Sequence, residues 1–218
     1  MSLQPINRSI DGWMVRQRIP AGPGPYPVFL MLHGWTGDES SMWVFASRLP
    51  DDACLIAPRG LYPAPLSGYS WHSSSSKAWP WVDDFQPAID ALLGILSQEH
   101  FPEADFSRLR LVGFSQGAAL AYALALQQPS RITALAGLSG FLPDGAAALA
   151  RNRPLLDKKV FVAHGSLDDL VPVERARQSV ELLQEAGAQV TYCEDQVGHK
   201  LSANCFQGLQ RFFAYQPC

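Results

Sequence analysis

The stretch Leu109-Arg110-Leu111-Val112-Gly113-Phe114-Ser115-Gln116-Gly117 joins a short apolar run to an Ala/Leu-rich segment. Its last five residues follow the pattern G-x-S-x-G. The pentapeptide alone is a weak signal, because glycine and serine are common residues. An apolar strand before it and a helical segment after it make the signal strong. We therefore predict a tight strand-to-helix turn with Ser115 at its apex.

The spacing of this pattern suits a serine nucleophile. A serine hydroxyl reacts poorly unless it meets a base and a substrate together, and the apex of a tight turn presents it to both. Gly113 and Gly117 have no Cβ atom, so they fit the crowded sides of the turn. The N–H of Gln116 can face the negative oxygen that develops during acyl transfer. The flanking elements disfavour the alternative, a Gly-Ser turn without chemistry.

The composition is typical of one globular domain, which we predict to span residues 1–218. The 218 residues are 47% hydrophobic, enough for a substantial core. The net charge is −3 and the 17 Lys and Arg residues are scattered, so nucleic acid is not expected as a partner. The first twenty residues lack the apolar centre of a signal peptide, and no stretch reaches the roughly 18 apolar residues of a bilayer span. We expect a cytoplasmic protein without a membrane span.

Short apolar runs alternate with longer segments of helical period, which predicts an α/β fold. The predicted strands are residues 28–32, 55–57, 109–114, 132–138, 160–163 and 190–193. Apolar residues recur at helical spacing over residues 85–96, 173–183 and 201–212, and residues 118–126 are apolar all round, as expected for a helix buried under the sheet. We expect a mostly parallel central sheet with helices on both faces. The first twenty-odd residues are expected to form an antiparallel hairpin or edge strand.

The four cysteines, Cys54, Cys193, Cys205 and Cys218, are widely spaced. They form no C-x-x-C pair and have no accompanying histidine pairs, so neither a zinc site nor a redox motif is indicated. Cys54 opens an apolar run and Cys193 lies in a predicted strand, where a thiol acts as a small hydrophobe. We predict buried free thiols, except for Cys218 in the tail, for which exposure is the alternative and no role is predicted.

Two polar loops follow later strands of the predicted sheet. Residues 164–172 read His-Gly-Ser-Leu-Asp-Asp-Leu-Val-Pro, and Gly198-His199 follows the strand that ends near Cys193. Because functional groups gather at the carboxyl ends of parallel strands, Ser115, Asp168 and His199 should share one sheet edge. Asp169 is the rival carboxylate, whose alternative role is to sit at the N-terminus of the next helix.

These motifs carry a family resemblance over nearly the whole chain. The G-x-S-x-G turn, the H-G-x-x-D-x-x-V-P pattern and Gly198-His199 resemble the carboxylesterase and acyl-protein thioesterase (phospholipase/carboxylesterase) family of α/β-hydrolases. The resemblance implies an α/β-hydrolase fold without a large cap domain. It implies that Ser115 is the nucleophile, His199 the general base and Asp168 the orienting acid, with no metal and no cofactor.

The resemblance also assigns the second oxyanion donor to the N–H of Trp35, in the loop His33-Gly34-Trp35-Thr36-Gly37-Asp38. This loop carries one residue more than the family pattern before Gly37, and Ala118 stands where a second glycine often follows the turn. His33 and His164 each precede a glycine at a strand end. We interpret both as structural hydrogen-bonding residues rather than bases.

Residues 59–82 form a long segment without a clear period, and segments of this kind are often functional. Trp71, Trp79 and Trp81 lie in this segment, and the sequence allows two interpretations of these side chains. The tryptophans line an apolar acyl pocket, or they pack the loop onto the sheet. His72 is a further candidate for a polar pocket group.

We therefore predict a serine hydrolase that acts on a small acyl ester or thioester through an acyl-serine intermediate. A histidine base must be neutral to accept a proton, so activity should fall toward acid pH. The alternatives are a small peptidase or acyl transferase on the same sheet, or a non-catalytic module that binds a ligand or partner.

Overall fold

The computed structural model describes residues 4–73 and 79–214. The strands are β1 (Ile6–Ile10), β2 (Trp13–Arg18), β3 (Tyr26–Leu32), β4 (Cys54–Pro58), β5 (Tyr62–Pro63), β6 (Tyr69–Ser70), β7 (Ala104–Phe114), β8 (Ile132–Leu138), β9 (Lys159–Gly165) and β10 (Gln189–Asp195). The α-helices are α1 (Gln86–Ile95), α2 (Gln116–Gln127), α3 (Ala146–Ala150), α4 (Val173–Glu185) and α5 (Ala203–Ala214). Short 3-10 segments cover Ser41–Arg48, Val82–Phe85 and Pro129–Arg131.

Eight strands form the central sheet in the order β1-β2-β4-β3-β7-β8-β9-β10. The pairs from β4 to β10 are parallel. Strands β1 and β2 form an antiparallel hairpin, and β2 pairs antiparallel with β4. The predicted α/β fold and the predicted N-terminal hairpin are therefore confirmed, and each predicted strand lies within an observed one.

Both faces of the sheet are covered, which explains why the central strands read as unbroken apolar runs. In β3, Val28, Leu30 and Leu32 pack into the core on the side of α1 and α2. The alternating residues Phe29 and Met31 pack into the core on the side of α5. Helix α2 is buried on all sides behind β7 and β8, as its apolar composition predicts.

The long segment 59–82 contains regular structure that its sequence does not reveal. Strands β5 and β6 form a two-stranded antiparallel hairpin, in which Tyr62 pairs with Ser70. Strands of two residues are too short to show a period of two, so pattern analysis cannot detect them. No helix in the described part of the chain has the length and apolar character needed to cross a bilayer.

The prediction of free thiols is wrong for two cysteines. Cys193 of β10 and Cys205 of α5 form a disulfide, with their Cα atoms 5.7 Å apart. Helix α5 packs against β10 and β9, and this packing brings together two cysteines that are 12 residues apart in sequence. Cys54 is buried and free, as predicted, and burial raises its pKa to about 11. Cys218 lies outside the described residues.

Reducing this disulfide should destabilise the protein by about 2–4 kcal/mol, because a closed loop of this length restricts the unfolded chain. Urea unfolding with and without dithiothreitol measures the change. The variant Cys193→Ala/Cys205→Ala is the matched control, since its stability should be low and should not respond to the reductant. Equal stability of the oxidised and reduced wild-type protein would contradict this expectation.

Candidate active site

Ser115 lies between β7 and α2, and its backbone has a conformation that residues other than glycine rarely adopt. Its φ is 53° and its ψ is −117°. Its N–H donates to the carbonyl of Leu138 at the end of β8 (2.8 Å), and its carbonyl accepts from the N–H of Ala118 (2.9 Å). Such a backbone costs on the order of 1–3 kcal/mol and persists where the surroundings impose it, commonly at functional sites.

The two glycines of the G-x-S-x-G pattern are required by close backbone contacts. A Cβ atom at Gly113 would lie 2.3 Å from the carbonyl oxygen of Gly117. A Cβ atom at Gly117 would lie 2.1 Å from the carbonyl oxygen of Leu32, at the end of β3. No side chain fits at either position without moving backbone. The turn therefore seats Ser115 tightly against the end of β3.

The loop after β3 also approaches Ser115. A Cβ atom at Gly34 would lie 3.2 Å from the Cβ of Ser115, so Trp35 follows directly beside the nucleophile. Within residues 4–73 and 79–214, the backbone N–H groups of Trp35 and Gln116 donate to no protein acceptor. Two unpaired N–H donors next to a serine hydroxyl are what an oxyanion hole requires.

Asp168 and His199 meet across two loops at the same edge of the sheet. His199 Nδ1 donates to Asp168 Oδ2 at 2.7 Å, and the Asp168 side chain is fully buried. Asp168 Oδ1 accepts from the N–H groups of Leu170 (3.0 Å) and Val171 (2.9 Å), which fixes the carboxylate. The bond at Nδ1 leaves Nε2 of the neutral ring as a proton acceptor. The rival, Asp169, is exposed.

His199 packs beside the nucleophile through Phe114, the residue before Ser115. The His199 and Phe114 rings meet edge-on, with centroids 5.1 Å apart. Among the described residues, Ser115 Oγ forms no hydrogen bond with His199. Catalytic hydrogen bonds are often long without substrate and tighten in the complex. The structure thus brings Asp168 to His199, and brings His199 to the segment that carries Ser115.

His33 is held as a neutral ring that supports the Trp35 loop. Its Nδ1 donates to the carbonyl of Gly34 (2.7 Å), and its Nε2 accepts from the N–H of Gly60 (2.8 Å). Burial lowers the pKa of His33, in agreement with an Nε2 atom that acts as an acceptor. The ring is therefore structural, as the sequence predicts.

His164 has a similar structural role beneath the Asp168 loop. Its Nε2 donates to the carbonyl of Val171 at 2.8 Å, while Asp168 Oδ2 lies further away, at 3.4 Å. Burial lowers the pKa of His164, so the ring is neutral and its contact with Asp168 is not an ion pair.

These buried neutral histidines should make the fold less stable in acid. Because the pKa values of His33 and His164 are lowered by folding, the unfolded chain binds more protons below the ordinary histidine value of about 6.5. The free energy of unfolding therefore has its full value above that pH and decreases as the pH falls. Urea unfolding between pH 8 and pH 5 measures the slope. A slope that stays unchanged in His164→Asn and in His33→Asn would contradict this explanation.

The three tryptophans predicted to line a pocket occupy different environments. Trp71 is fully buried, so for this residue the packing interpretation holds. Trp79 is half-buried and meets Phe141 edge-on at 4.6 Å, and Trp81 is exposed. His72 is half-buried with its ring edge-on to Phe85, and its Nδ1 atom has no partner among the described residues.

The loops that carry Trp35 and Asp168 expose large apolar side chains, which the sequence motifs did not indicate. We call Trp35, Leu167 and Leu170, with exposed fractions of 55%, 66% and 66%, the apolar rim. Leu167 and Leu170 flank the buried Asp168, and this placement of apolar side chains around an acid was the available signal. Exposed large apolar side chains next to a reactive centre favour an apolar ligand.

The fold and this arrangement define the class of α/β-hydrolases. The structure of a carboxylesterase from Bacillus cereus superposes with a TM-score of 0.81, covering 93% of both chains at 20% identity. The particular family follows from the sequence. Residues 23–216 match the model of the Phospholipase/Carboxylesterase family, and the chain belongs to it. The family resemblance of the motifs is therefore confirmed.

Proteins with similar sequences carry different names. Acyl-protein thioesterase 1 of Emericella nidulans is 34% identical over 200 residues, which cover 78% of this chain and 81% of that protein. A putative 2-succinyl-6-hydroxy-2,4-cyclohexadiene-1-carboxylate synthase of Bacillus subtilis is 28% identical over 69% of this chain, which spans only 50% of that protein. A rice protein named a probable inactive carboxylesterase is 26% identical over 55% of this chain and 49% of its own length.

Proposed function

We propose that this protein hydrolyses carboxylic esters or thioesters through an acyl–Ser115 intermediate. The observation that carries the proposal is the 2.7 Å bond between His199 Nδ1 and the buried Asp168, next to the strained turn of Ser115. A carboxylate that holds a histidine in one tautomer beside a serine is the arrangement of a serine hydrolase. Membership of the phospholipase/carboxylesterase family supports the same activity.

In the first half of the reaction, Ser115 Oγ attacks the acyl carbonyl while Nε2 of His199 accepts its proton. The carbonyl oxygen becomes negative, and the N–H groups of Gln116 and Trp35 stabilise it. Asp168 stabilises the imidazolium that forms, without taking the proton itself. The carbon–oxygen or carbon–sulfur bond to the leaving group then breaks, and His199 gives its proton to that group.

In the second half, water attacks the acyl–Ser115 ester and loses a proton to His199. The same two N–H groups stabilise the second oxyanion. The carboxylic acid leaves, and the proton returns from His199 to Ser115 Oγ. The residues named here complete the cycle, and the proposal assigns no role to a metal or cofactor.

The apolar rim supports a choice of substrate class. Trp35 carries one proposed oxyanion donor on its backbone, and Leu167 and Leu170 stand on either side of the proposed acid in the sequence. These side chains support an acyl group with substantial apolar area rather than a charged one. The name of the Emericella nidulans relative supports thioesters as substrates alongside oxygen esters.

Hydrolysis of a p-nitrophenyl ester series from acetate to palmitate tests the proposal, with Ser115→Ala as the control. We expect turnover that depends on Ser115 and a chain length at which kcat/KM is greatest. That optimum measures how much acyl chain the site accepts. Turnover that persists in Ser115→Ala would overturn the proposal.

A non-catalytic binding module is the alternative from another functional class, and the name of the rice relative favours it. A labelled fluorophosphonate separates the two, because it reacts only with an activated serine. Labelling of Ser115 in folded protein supports the hydrolase. A folded protein that stays unlabelled supports the binding module. A peptidase would also label and would cleave peptide amides as well as activated esters, and an acyl transferase would label but pass the acyl group to an acceptor other than water.

We also propose that the chain acts as one domain, residues 1–218. A single sheet that joins β1 to β10 supports this proposal.

We propose a cytoplasmic location as well, and the Cys193–Cys205 disulfide is the observation against it. Stable disulfides are typical of oxidising compartments. Alkylation of free thiols at the moment of cell lysis, followed by mass spectrometry, measures the redox state of this pair.

A further inference from the structure

One buried residue contacts both backbone segments that carry the proposed oxyanion donors. Trp71 Nε1 donates to the carbonyl of His33 at 2.8 Å, two residues before Trp35. The backbone N–H of Trp71 donates to Oε1 of Gln116 at 3.0 Å. The proposed oxyanion donor of Trp35 belongs to the loop after β3, and that of Gln116 belongs to the start of α2. Trp71 therefore connects these two segments.

Trp71 makes its contacts in the interior of the protein. Its side chain is fully buried, and its ring lies against the His33 ring, with centroids 4.8 Å apart. The Gln116 side chain is also buried, and its Nε2 donates to Ser70 Oγ at 3.1 Å. Hydrogen bonds in a site without water are stronger than on the surface, and each group left unpaired there is costly.

The His33 carbonyl that accepts from Trp71 also borders the nucleophile turn. A Cβ atom at Gly117 would lie 2.5 Å from this carbonyl oxygen. The carbonyl is thus confined between the turn and the indole N–H. The ring of His33 is held separately, by its hydrogen bonds to Gly34 and Gly60, so the bond from Trp71 acts on the carbonyl and not on the ring.

We infer that Trp71 is a positioning residue that sets the separation and direction of the two oxyanion N–H donors. This inference rests on the proposed function and deepens it. Trp71 itself touches no reacting atom. It acts through the His33 carbonyl on the Trp35 N–H, and through the Gln116 side chain on the Gln116 N–H. A displacement of about 1 Å at such donors is enough to cost on the order of 100-fold in rate.

The test variant is Trp71→Phe, which keeps an aromatic ring and removes the Nε1–H donor. We expect kcat to fall about 10- to 100-fold with KM changed less than about threefold, because the donors act mainly in the transition state. A matched control is Tyr26→Phe, which also removes one donor from an aromatic side chain. The Tyr26 hydroxyl donates to the backbone carbonyl of Ala21 at 3.0 Å and lies at the start of β3, whereas the Trp35 loop follows the end of β3. The control should keep its kcat within about twofold.

A trifluoromethyl ketone inhibitor gives a readout that loss of stability alone would not change. It forms a hemiketal with the nucleophilic serine, and the pKa of the hemiketal hydroxyl reports how strongly the oxyanion is stabilised. In Trp71→Phe we expect this ligand pKa, followed by fluorine NMR, to rise by about one unit, a tenfold loss of stabilisation. Tyr26→Phe should match the wild type.

If Trp71→Phe does not fold, β-(3-benzothienyl)alanine at position 71 replaces only the N–H by sulfur and tests the same bond. A hemiketal pKa and a kcat equal to those of Tyr26→Phe would overturn the inference while leaving the hydrolase intact. Failure of the wild-type protein to form any hemiketal and to hydrolyse any ester would overturn the proposed function, and the inference with it.

Discussion

Replacing Ser115 with alanine is expected to lower kcat toward the ester found best in the p-nitrophenyl series by about 10⁵–10⁶-fold. The hydroxyl is the only group of the protein that bonds to the acyl carbon in the proposed cycle, so the acyl-enzyme route is lost although His199 and the oxyanion donors remain. A residual rate about 10³-fold above that in water should remain, because the donors still bind the substrate.

The fold provides a clean control for this variant. Alanine keeps a Cβ atom, so the backbone at φ 53° stays equally strained and the stability should change little. Equal urea midpoints for the two proteins would show that the loss is chemical. Covalent labelling by fluorophosphonate should disappear at the same time. A variant that keeps more than a few per cent of wild-type turnover would exclude Ser115 as the nucleophile.

The second large effect is expected from Asp168→Asn, which should lower kcat by about 10⁴-fold, the loss typical of an asparagine in this role. The amide keeps the size of the side chain. It can present an N–H to His199 Nδ1, and the ring must then carry its proton on Nε2, where it can no longer accept from Ser115. The pH–rate profile and kcat of the variant measure the loss.

Asp169→Asn is the matched control, since it makes the same chemical change one residue away on an exposed side chain. We expect kcat within about twofold of the wild type. A large loss in Asp169→Asn together with a small loss in Asp168→Asn would reverse the assignment of the acid. Equal losses in both variants would point to the loop conformation rather than to one carboxylate.

Local sequence patterns predicted the framework of the site well. The six predicted strands lie inside observed ones, because strands covered on both faces must be apolar throughout. The G-x-S-x-G pattern located the strained turn, since Gly113 and Gly117 are demanded by backbone contacts close to Ser115 itself. The order of the two polar loops placed Asp168 and His199 at one sheet edge, where the structure joins them.

Long-range partners were not predictable in the same way. The Cys193–Cys205 disulfide depends on how α5 packs back on the sheet, and a spacing of 12 residues does not encode that direction. The role of Trp71 was equally hidden, because an aromatic residue in a loop suits a pocket wall as well as a buried anchor. Its complete burial and its two hydrogen bonds, to segments 38 and 45 residues away, separate these interpretations.

Local patterns along the chain were enough to predict the α/β framework, the turn at Ser115 and the loops of Asp168 and His199. Each of these depends on residues that are neighbours in the chain, such as an apolar run, a glycine two positions away or a loop directly after a strand. The family pattern also assigned Asp168 rather than Asp169, and the structure shows Asp168 bonded to His199. The pairing of Cys193 with Cys205 and the bridge of Trp71 between the two donor segments became visible only in the folded chain. These contacts join residues distant in sequence, so their geometry exists only once the chain has packed.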